Sequence, residues 1–297
     1  MSFIINTALF IFVLIINRMK NILVLTDFSD KSWNSIIYAL GLFKSERCSF
    51  YLLNAKNRYE NEDFENNHFE LIKVKNRRDS KRELEALIQK INSLKTKGNH
   101  TFIPIVDANN IVEAARNQIR EKKIDLIVIG SNDIPSKGEV FRNSISEEVI
   151  TKVKCSVLVV PEKAVFKPLN KIAFPTDYTN FYEAKLFHYL MCNSSYNKAA
   201  IRFLYLSKNK DELNKEQVWN KETLGDYFSE KQHSFHSRVG ENLEELLQHF
   251  IDEKQIDLIV LAAKNLNLME QILFRPKSEA LEYYSKTPFL ALHQSNF

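Results

Sequence analysis

The residues of this chain with the type and setting to do chemistry stand at the ends of apolar runs. Asp27 follows Ile22-Leu-Val-Leu25 within Thr26-Asp27-Phe28-Ser29, and Gly130 closes Leu126-Ile-Val-Ile129. After a polar stretch, Ser144 opens Ser144-Ile-Ser-Glu147. A carboxylate at a strand tip accepts hydrogen bonds, and the free amides of a helix start attract an anion. That chemistry is binding rather than bond making. Each residue also has a purely local use. Asp27 can accept from the start of the next helix, with Ser29 as its N-cap. Ser144 with Glu147 reads as a capping box, which would occupy the hydroxyl.

No catalytic residue is assigned, and the chain is not read as an enzyme. The nucleophile motif G-x-S-x-G is absent, as is the phosphate-loop signature G-x-x-x-x-G-K-[ST]. Phe28-Ser29-Asp30-Lys31-Ser32 after Asp27 holds no glycine, and the whole chain has six. An adenylating or phosphate-transferring enzyme would need a lysine or a glycine-rich turn there. His233 and His236, three apart on an expected strand, face opposite sides and form no metal pair. Cys48, Cys155 and Cys192 are odd in number and far apart, which suits a reducing cytoplasm rather than a disulfide framework. Cys155 lies between a helix and a buried strand and reads as a packed thiol.

At 297 residues the chain can bury two ordinary cores, and its 44% apolar and 26% charged content is that of a soluble globular protein. The formal charge of +4 calls for neither nucleic acid nor an anionic surface, since no Lys/Arg stripe is interleaved with aromatics. The most basic run, Lys73 to Arg82, follows the acidic run Glu60 to Glu65. Residues Asn57 to Lys75 are therefore expected to be a solvated, mobile excursion over the sheet edge. Residues 1–18 form an apolar extension. Phe3 to Ile16 is almost wholly apolar but shorter than the roughly 20 residues of a spanning helix. It lacks the marks of a secretory signal. Either it is a marginal anchor, with Arg18 and Lys20 keeping the rest cytoplasmic, or translation starts at Met19. A membrane partner is not expected.

Self-comparison shows a repeat. Lys20-Asn-Ile-Leu-Val-Leu-Thr-Asp-Phe-Ser29 returns as Asn170-Lys-Ile-Ala-Phe-Pro-Thr-Asp-Tyr-Thr179, an offset of 150. Lys123-Ile-Asp-Leu-Ile-Val-Ile129 returns as Gln255-Ile-Asp-Leu-Ile-Val-Leu261, and Ser156-Val-Leu-Val-Val160 as Pro288-Phe-Leu-Ala-Leu292, both at 132. The second copy is thus shorter by 18 residues in its middle. Strands are expected at 21–26, 49–54, 101–106, 125–130 and 156–160, and again at 171–176, 199–206, 233–238, 257–262 and 288–292. Helices are expected at 30–44, 79–96, 109–122, 143–153 and about 208–230. Runs such as Asp125-Leu-Ile-Val-Ile-Gly130 suit strands buried on both faces. The fold class is α/β: two tandem, open, doubly wound parallel sheets of five strands, in domains 19–162 and 168–297.

The first strand ending in Thr26-Asp27-Phe28-Ser29, the fourth ending in Gly130, and the last strand Lys154-Cys-Ser-Val-Leu-Val-Val160 resemble the universal stress protein family. The likeness runs once through each half, from residue 19 to the end. It implies the adenine nucleotide alpha hydrolase-like fold, a stress-response or signalling role, and in one branch of the family ATP binding. It also implies pairing through the last strand, either between the two halves or in a homodimer. In the ATP-binding branch, an acidic residue ends strand one. A loop after strand four reads Gly, two residues, Gly, nine residues, Gly, then Ser or Thr. Carried over, Asp27, Gly130 and Ser144 match, Asn143 is a mild change, and Asp133 replaces a glycine. A carboxylate 4–5 Å from a phosphate opposes it by roughly 3–4 kcal/mol at an effective dielectric near 20. Lys137 and Arg142 offset part of that. The expected nucleotide contacts are Asp27, Gly130, Asn143 and Ser144, and the expected ligand is weakly held ATP. In the second copy Ala262, Asn265, Arg275 and Pro276 stand at the loop positions, so that half is expected to be a companion whose Asp177 starts a helix. The competing expectation is a nucleotide-free interaction protein.

Overall fold

The computed structural model describes residues 19–56, 69–95, 98–131, 144–192, 196, 198–210, 212–274 and 286–294. Its first half runs β1 (Lys20–Leu25), α1 (Asp30–Leu42), β2 (Cys48–Lys56), α2 (Phe69–Asn92), β3 (His100–Asn110), α3 (Ile111–Lys122), β4 (Leu126–Ser131), α4 (Ile145–Lys152) and β5 (Val157–Pro161). The second half runs β6 (Lys171–Thr176), α5 (Ala184–Cys192), β7 (Ala200–Ser207), α6 (Lys215–Tyr227), β8 (His233–Val239), α7 (Leu243–Lys254), β9 (Leu258–Ala262), the short α8 (Leu266–Met269) and β10 (Phe289–Leu292). Each expected strand is found within about one or two residues, except that β3, expected to end at 106, runs on to Asn110; the central strands are apolar runs buried on both faces.

The ten strands form one sheet in the order β3-β2-β1-β4-β5-β10-β9-β6-β7-β8. Counted from its outer edge, each half has the same internal order. Every neighbouring pair is parallel except β5 and β10, which run antiparallel with Val159 opposite Phe289, Leu158 opposite Leu290 and Val157 opposite Ala291. This inversion puts the carboxyl ends of β6–β10 on the same sheet edge as the amino ends of β1–β5.

Two apolar layers cover the sheet, and both cross the β5–β10 seam. Val157, Val159, Phe289 and Ala291 face the layer of α3, α4 and α7, while Leu158 and Leu290 face the layer of α1, α2, α5 and α6. The offset of 132 reappears as geometry. Asp125 Oδ2 accepts from the Asn21 amide (2.9 Å), and Asp257 Oδ2 accepts from those of Asn170 (2.8 Å) and Lys171 (3.0 Å). Each carboxylate thereby satisfies an amide at the start of its half's first strand. The residues that end α3 and α7, Lys123 and Gln255, both take the left-handed conformation, with φ of 50° and 52°.

Several helix boundaries differ from expectation as well. Residues 57–68 lie outside the described residues, but Phe69 to Lys75 belong to α2 rather than to an excursion. The polar stretch 208–230 holds a helix only over Lys215–Tyr227, started by a capping box in which Asn214 accepts from the Gln217 amide (2.9 Å) and Gln217 accepts from that of Asn214 (3.0 Å). The helix expected over 143–153 starts at Ile145 because Ser144 is its N-cap.

The first turn of α1 lies directly on β4. A Cβ added to Gly130 would stand 2.4 Å from the Lys31 carbonyl oxygen. In the second half α5 starts only at Ala184, seven residues past Asp177, and the position matching Gly130 holds the buried Ala262.

Two stability measurements check this packing. Gly130→Ala is expected to cost about 2–3 kcal/mol, since backbone rather than a pliable side chain must yield; an unchanged urea midpoint would show that α1 is not seated there. Leu158→Ala and Leu290→Ala should each cost about 2–5 kcal/mol. As cross-seam neighbours their effects should fall short of additivity by at least about 0.5 kcal/mol in the double variant. Strict additivity would mean that the two side chains do not share a packing site.

Candidate functional site

At the tip of β1 the chain makes a tight, self-bonded turn. Thr26 Oγ1 accepts from the Phe28 amide (3.1 Å), and Phe28 takes a φ of 65°. Asp27 Oδ1 accepts from both the amide (3.1 Å) and the hydroxyl of Ser29, and Ser29 Oγ in turn accepts from the Ser32 amide (3.4 Å) as N-cap of α1. Asp27 Oδ2 lies 3.2 Å from the Lys31 ammonium. Partial burial pushes the Asp27 carboxyl up. The Ser29 hydroxyl, the Lys31 charge and the Ser29 amide outweigh it, so the group sits below its ordinary value and is ionised at neutral pH. The side chain remains 51% exposed.

Beside it, the tip of β4 carries Gly130, pressed by α1, and then Ser131. The Ser131 hydroxyl is buried and has no hydrogen-bond partner among the described residues. Sequence reasoning passed over Ser131; its one signal was a small polar residue ending the run Leu126-Ile-Val-Ile-Gly130. Asp133, Lys137, Arg142 and Asn143 lie outside the described residues. Ser144 accepts from the Glu147 amide (3.1 Å), so its hydroxyl holds the first turn of α4. Asp27 and Gly130 are thus brought to adjacent strand tips, while Gly130 and Ser144 each have a use in the fold.

The second half repeats the turn and then closes it. Thr176 Oγ1 accepts from the Tyr178 amide (3.0 Å), Tyr178 has φ 56°, and Asp177 Oδ1 accepts from the amide (3.1 Å) and hydroxyl (2.8 Å) of Thr179. Here the same carboxylate oxygen also accepts from Asn265 Nδ2 at 2.9 Å, across from the end of β9. Asn265 Oδ1 then caps α8 through the Leu268 amide (3.2 Å). Lys264 Nζ reaches the Phe181 carbonyl (3.3 Å), and Gln217 Nε2 and Asn220 Nδ2 donate to the Asp177 and Tyr178 carbonyls. Behind this bridge Leu268, Met269, Ile272 and Leu273 are buried. Tyr182 packs alongside, its phenol pushed up to about 12 by burial. Asp177 therefore does not start α5; it ties one strand tip to the other. Arg275 and Pro276 lie outside the described residues.

The remaining candidates are engaged in structure. His233 Nδ1 lies 2.9 Å from the Lys231 carbonyl, and His236 Nε2 lies 2.8 Å from Ser234 Oγ. Cys155 is buried, which pushes its thiol up to about 12. Among the described residues no group of three potential metal ligands occurs.

The universal stress protein family model matches residues 19–161. No curated protein matches the chain. Among solved structures, a universal stress protein from Archaeoglobus fulgidus DSM 4304 is similar with a TM-score of 0.65 and 16% identity, over 93% of this chain and 97% of that one. A functionally unknown protein from Pseudomonas aeruginosa PAO1 is similar with a TM-score of 0.52 and 12% identity, over 95% of each chain. At such identities these structures speak for the fold, and they do so along both halves. Residues 19–161 thus belong to the universal stress protein family, and the chain shares its fold with a solved member over nearly its full length.

Proposed function

We propose that this protein is a stress-response module that holds one adenine nucleotide, ATP in the first instance, weakly and in its first half only. The observation that carries the reading is the contrast between two matching turns. In the second half Asp177 is bridged to the neighbouring strand tip by Asn265. In the first half, the partners of Asp27 among the described residues all come from its own turn, Ser29 and Lys31. The pair β1–β4 is flanked by β2 and β5, so its carboxyl ends border the point where strand order reverses, the place where open α/β sheets take ligands.

The groups present suit an adenine nucleotide in part. Asp27 is ionised and half exposed, able to accept from ribose hydroxyls or an adenine amine. Lys31 stands one helical turn away and could exchange its carboxylate for a phosphate oxygen. The Ser131 hydroxyl, buried and without a partner among the described residues, has a donor and acceptors to offer. The start of α4 would attract phosphate. Asp133 opposes it by charge, which is why weak binding is proposed.

A second reading, a nucleotide-free interaction protein, draws on the engagement of Gly130 and Ser144 in the fold. Native mass spectrometry with Mg-ATP separates the two, with one nucleotide per chain expected and none on the second reading. Thermal denaturation gives the size. A ligand at 100 times its Kd adds about 2.7 kcal/mol, so a rise in Tm is expected by about 5 mM Mg-ATP, and a flat response there removes the nucleotide. Asp27→Asn keeps a turn acceptor while removing the charge, and should lower that affinity about tenfold or more. Asp177→Asn should leave it unchanged. Equal losses from the two substitutions would place the ligand elsewhere.

A further inference from the structure

Antiparallel pairing of β5 with β10 creates one long sheet edge from unlike parts: the amino ends of the first half's strands and the carboxyl ends of the second half's. With neighbouring strands about 4.8 Å apart, ten strands span roughly 43 Å. Along the first half, this edge is made of the turns that lead from each helix into the next strand. They present Lys44 and Arg47 before β2, Lys122 and Lys123 before β4, and Lys152 and Lys154 before β5, all exposed. Their acidic company there is slight. Glu121 is exposed, Glu46 is ion-paired with Lys20, Asp125 takes the Asn21 amide, and Lys152 is paired with Glu148 one turn up α4. These cations are scattered in sequence and meet only because four parallel crossovers return to the same side.

Along the second half, the same edge carries exposed apolar groups. Phe181, after β6, stacks on Trp219 in the first turns of α6, with ring centroids 5.2 Å apart; Trp219 is 54% exposed. Val218 lies beside it in sequence, and Leu266 opens α8 two residues after Lys264, which reaches the Phe181 carbonyl. Among the described residues the exposed large apolar side chains are Met19, Val165, Phe181, Val218, Trp219 and Leu266, and all but Val165 lie at this edge. Met19 is where the apolar run Phe3 to Ile16, followed by Arg18, joins β1.

We propose that this edge is a docking surface for an anionic lipid bilayer. Three unlike features converge on it: a row of cations, an exposed aromatic and aliphatic patch, and the attachment point of an apolar segment too short to span a bilayer but long enough to enter one leaflet. Among the described residues no helix is long and apolar enough to cross a membrane, and the association proposed is peripheral. Lysines near an anionic surface and an aromatic at the headgroup level contribute separately, and a single weak anchor becomes stable when a basic patch joins it. Nucleic acid would match the cations but would leave the Phe181–Trp219 stack exposed to water. The edge opposite, with the tips of β1 and β4, would then face away from the lipid, leaving the candidate nucleotide site open.

Sedimentation of the full-length chain with vesicles tests this. It should bind phosphatidylcholine vesicles carrying about 30% phosphatidylserine and not phosphatidylcholine alone, and binding should fall as salt rises above about 0.15 M. Lys122→Glu with Lys154→Glu should weaken it about tenfold or more, while Lys198→Glu with Lys254→Glu, on the opposite edge, should not. Phe181→Ser with Trp219→Ser should weaken it as well, and in the native chain Trp219 emission should shift to the blue and be quenched by brominated lipid. Circular dichroism confirms that each variant is folded. The proposal fails if anionic vesicles are not bound at low salt, or if both charge-reversal pairs act alike. It also fails if a DNA duplex is bound more tightly than the vesicles, or if the patch instead holds two copies in a dimer that Phe181→Ser with Trp219→Ser abolishes without affecting the vesicles.

Discussion

Three cross-strand pairs, Val157 with Ala291, Leu158 with Leu290 and Val159 with Phe289, are all that joins the two halves through the sheet, yet most of the architecture follows from them. Each half alone would end in a strand with one unpaired edge, a row of amides and carbonyls open to any other strand. Pairing the two edges satisfies both. It also lets the apolar layers above and below run on without a break, because alternate residues of β5 and β10 point into the same two layers. The antiparallel sense of that pairing is what turns one half over relative to the other. The carboxyl ends of the two halves' strands thus face opposite edges, and each set lies beside the amino ends of the other.

The turns at the tips of β1 and β6 show how little local chemistry separates a half-exposed carboxylate from one tied into a structural joint. Thr-Asp-aromatic-Ser/Thr folds the same way twice, with a left-handed aromatic residue and a carboxylate that gathers the following amide and hydroxyl. What differs is what comes from across the sheet. A side-chain amide from Asn265, which also caps the short helix α8, bonds the second carboxylate's Oδ1 from across the sheet. In the first half the early start of α1 occupies the space over Gly130 instead. The glycine is thereby explained by a helix pressing on a strand, a need that exists whether or not a phosphate is ever bound.

Part of the basic edge follows the helix macrodipole. Arg120 and Lys122 in the last turn of α3, and Lys152 in that of α4, stabilise carbonyls that have no intrahelical partner. Because all crossovers in the first half have the same sense, charges placed for the good of each helix accumulate on one edge of the molecule. A surface of one sign can therefore arise from local helix stability, and become useful to a partner afterwards.

Much of the fold was legible in the residues. Short, β-branched apolar runs such as Leu126-Ile-Val-Ile129 suited buried strands, the two offsets of 150 and 132 gave the correspondence between halves, and Ser144-Ile-Ser-Glu147 announced the start of α4. Asp27 was legible as a strand-tip carboxylate for the same reason. The start of α2 was not, since Phe69 to Lys75 carries charge without a clear apolar stripe. Ser131 escaped notice because burial of a hydroxyl is a property of its neighbours. Sequence by itself determined the strands, their order of appearance and the residues at their tips, all consequences of hydrophobic pattern and local hydrogen bonding. Only the tertiary structure decided that Asp177 is bridged by Asn265, that Gly130 lies under α1, and that distant lysines share an edge with Phe181 and Trp219. The first two join residues 88 and 99 positions apart, and no local pattern records a distance that chain folding alone creates.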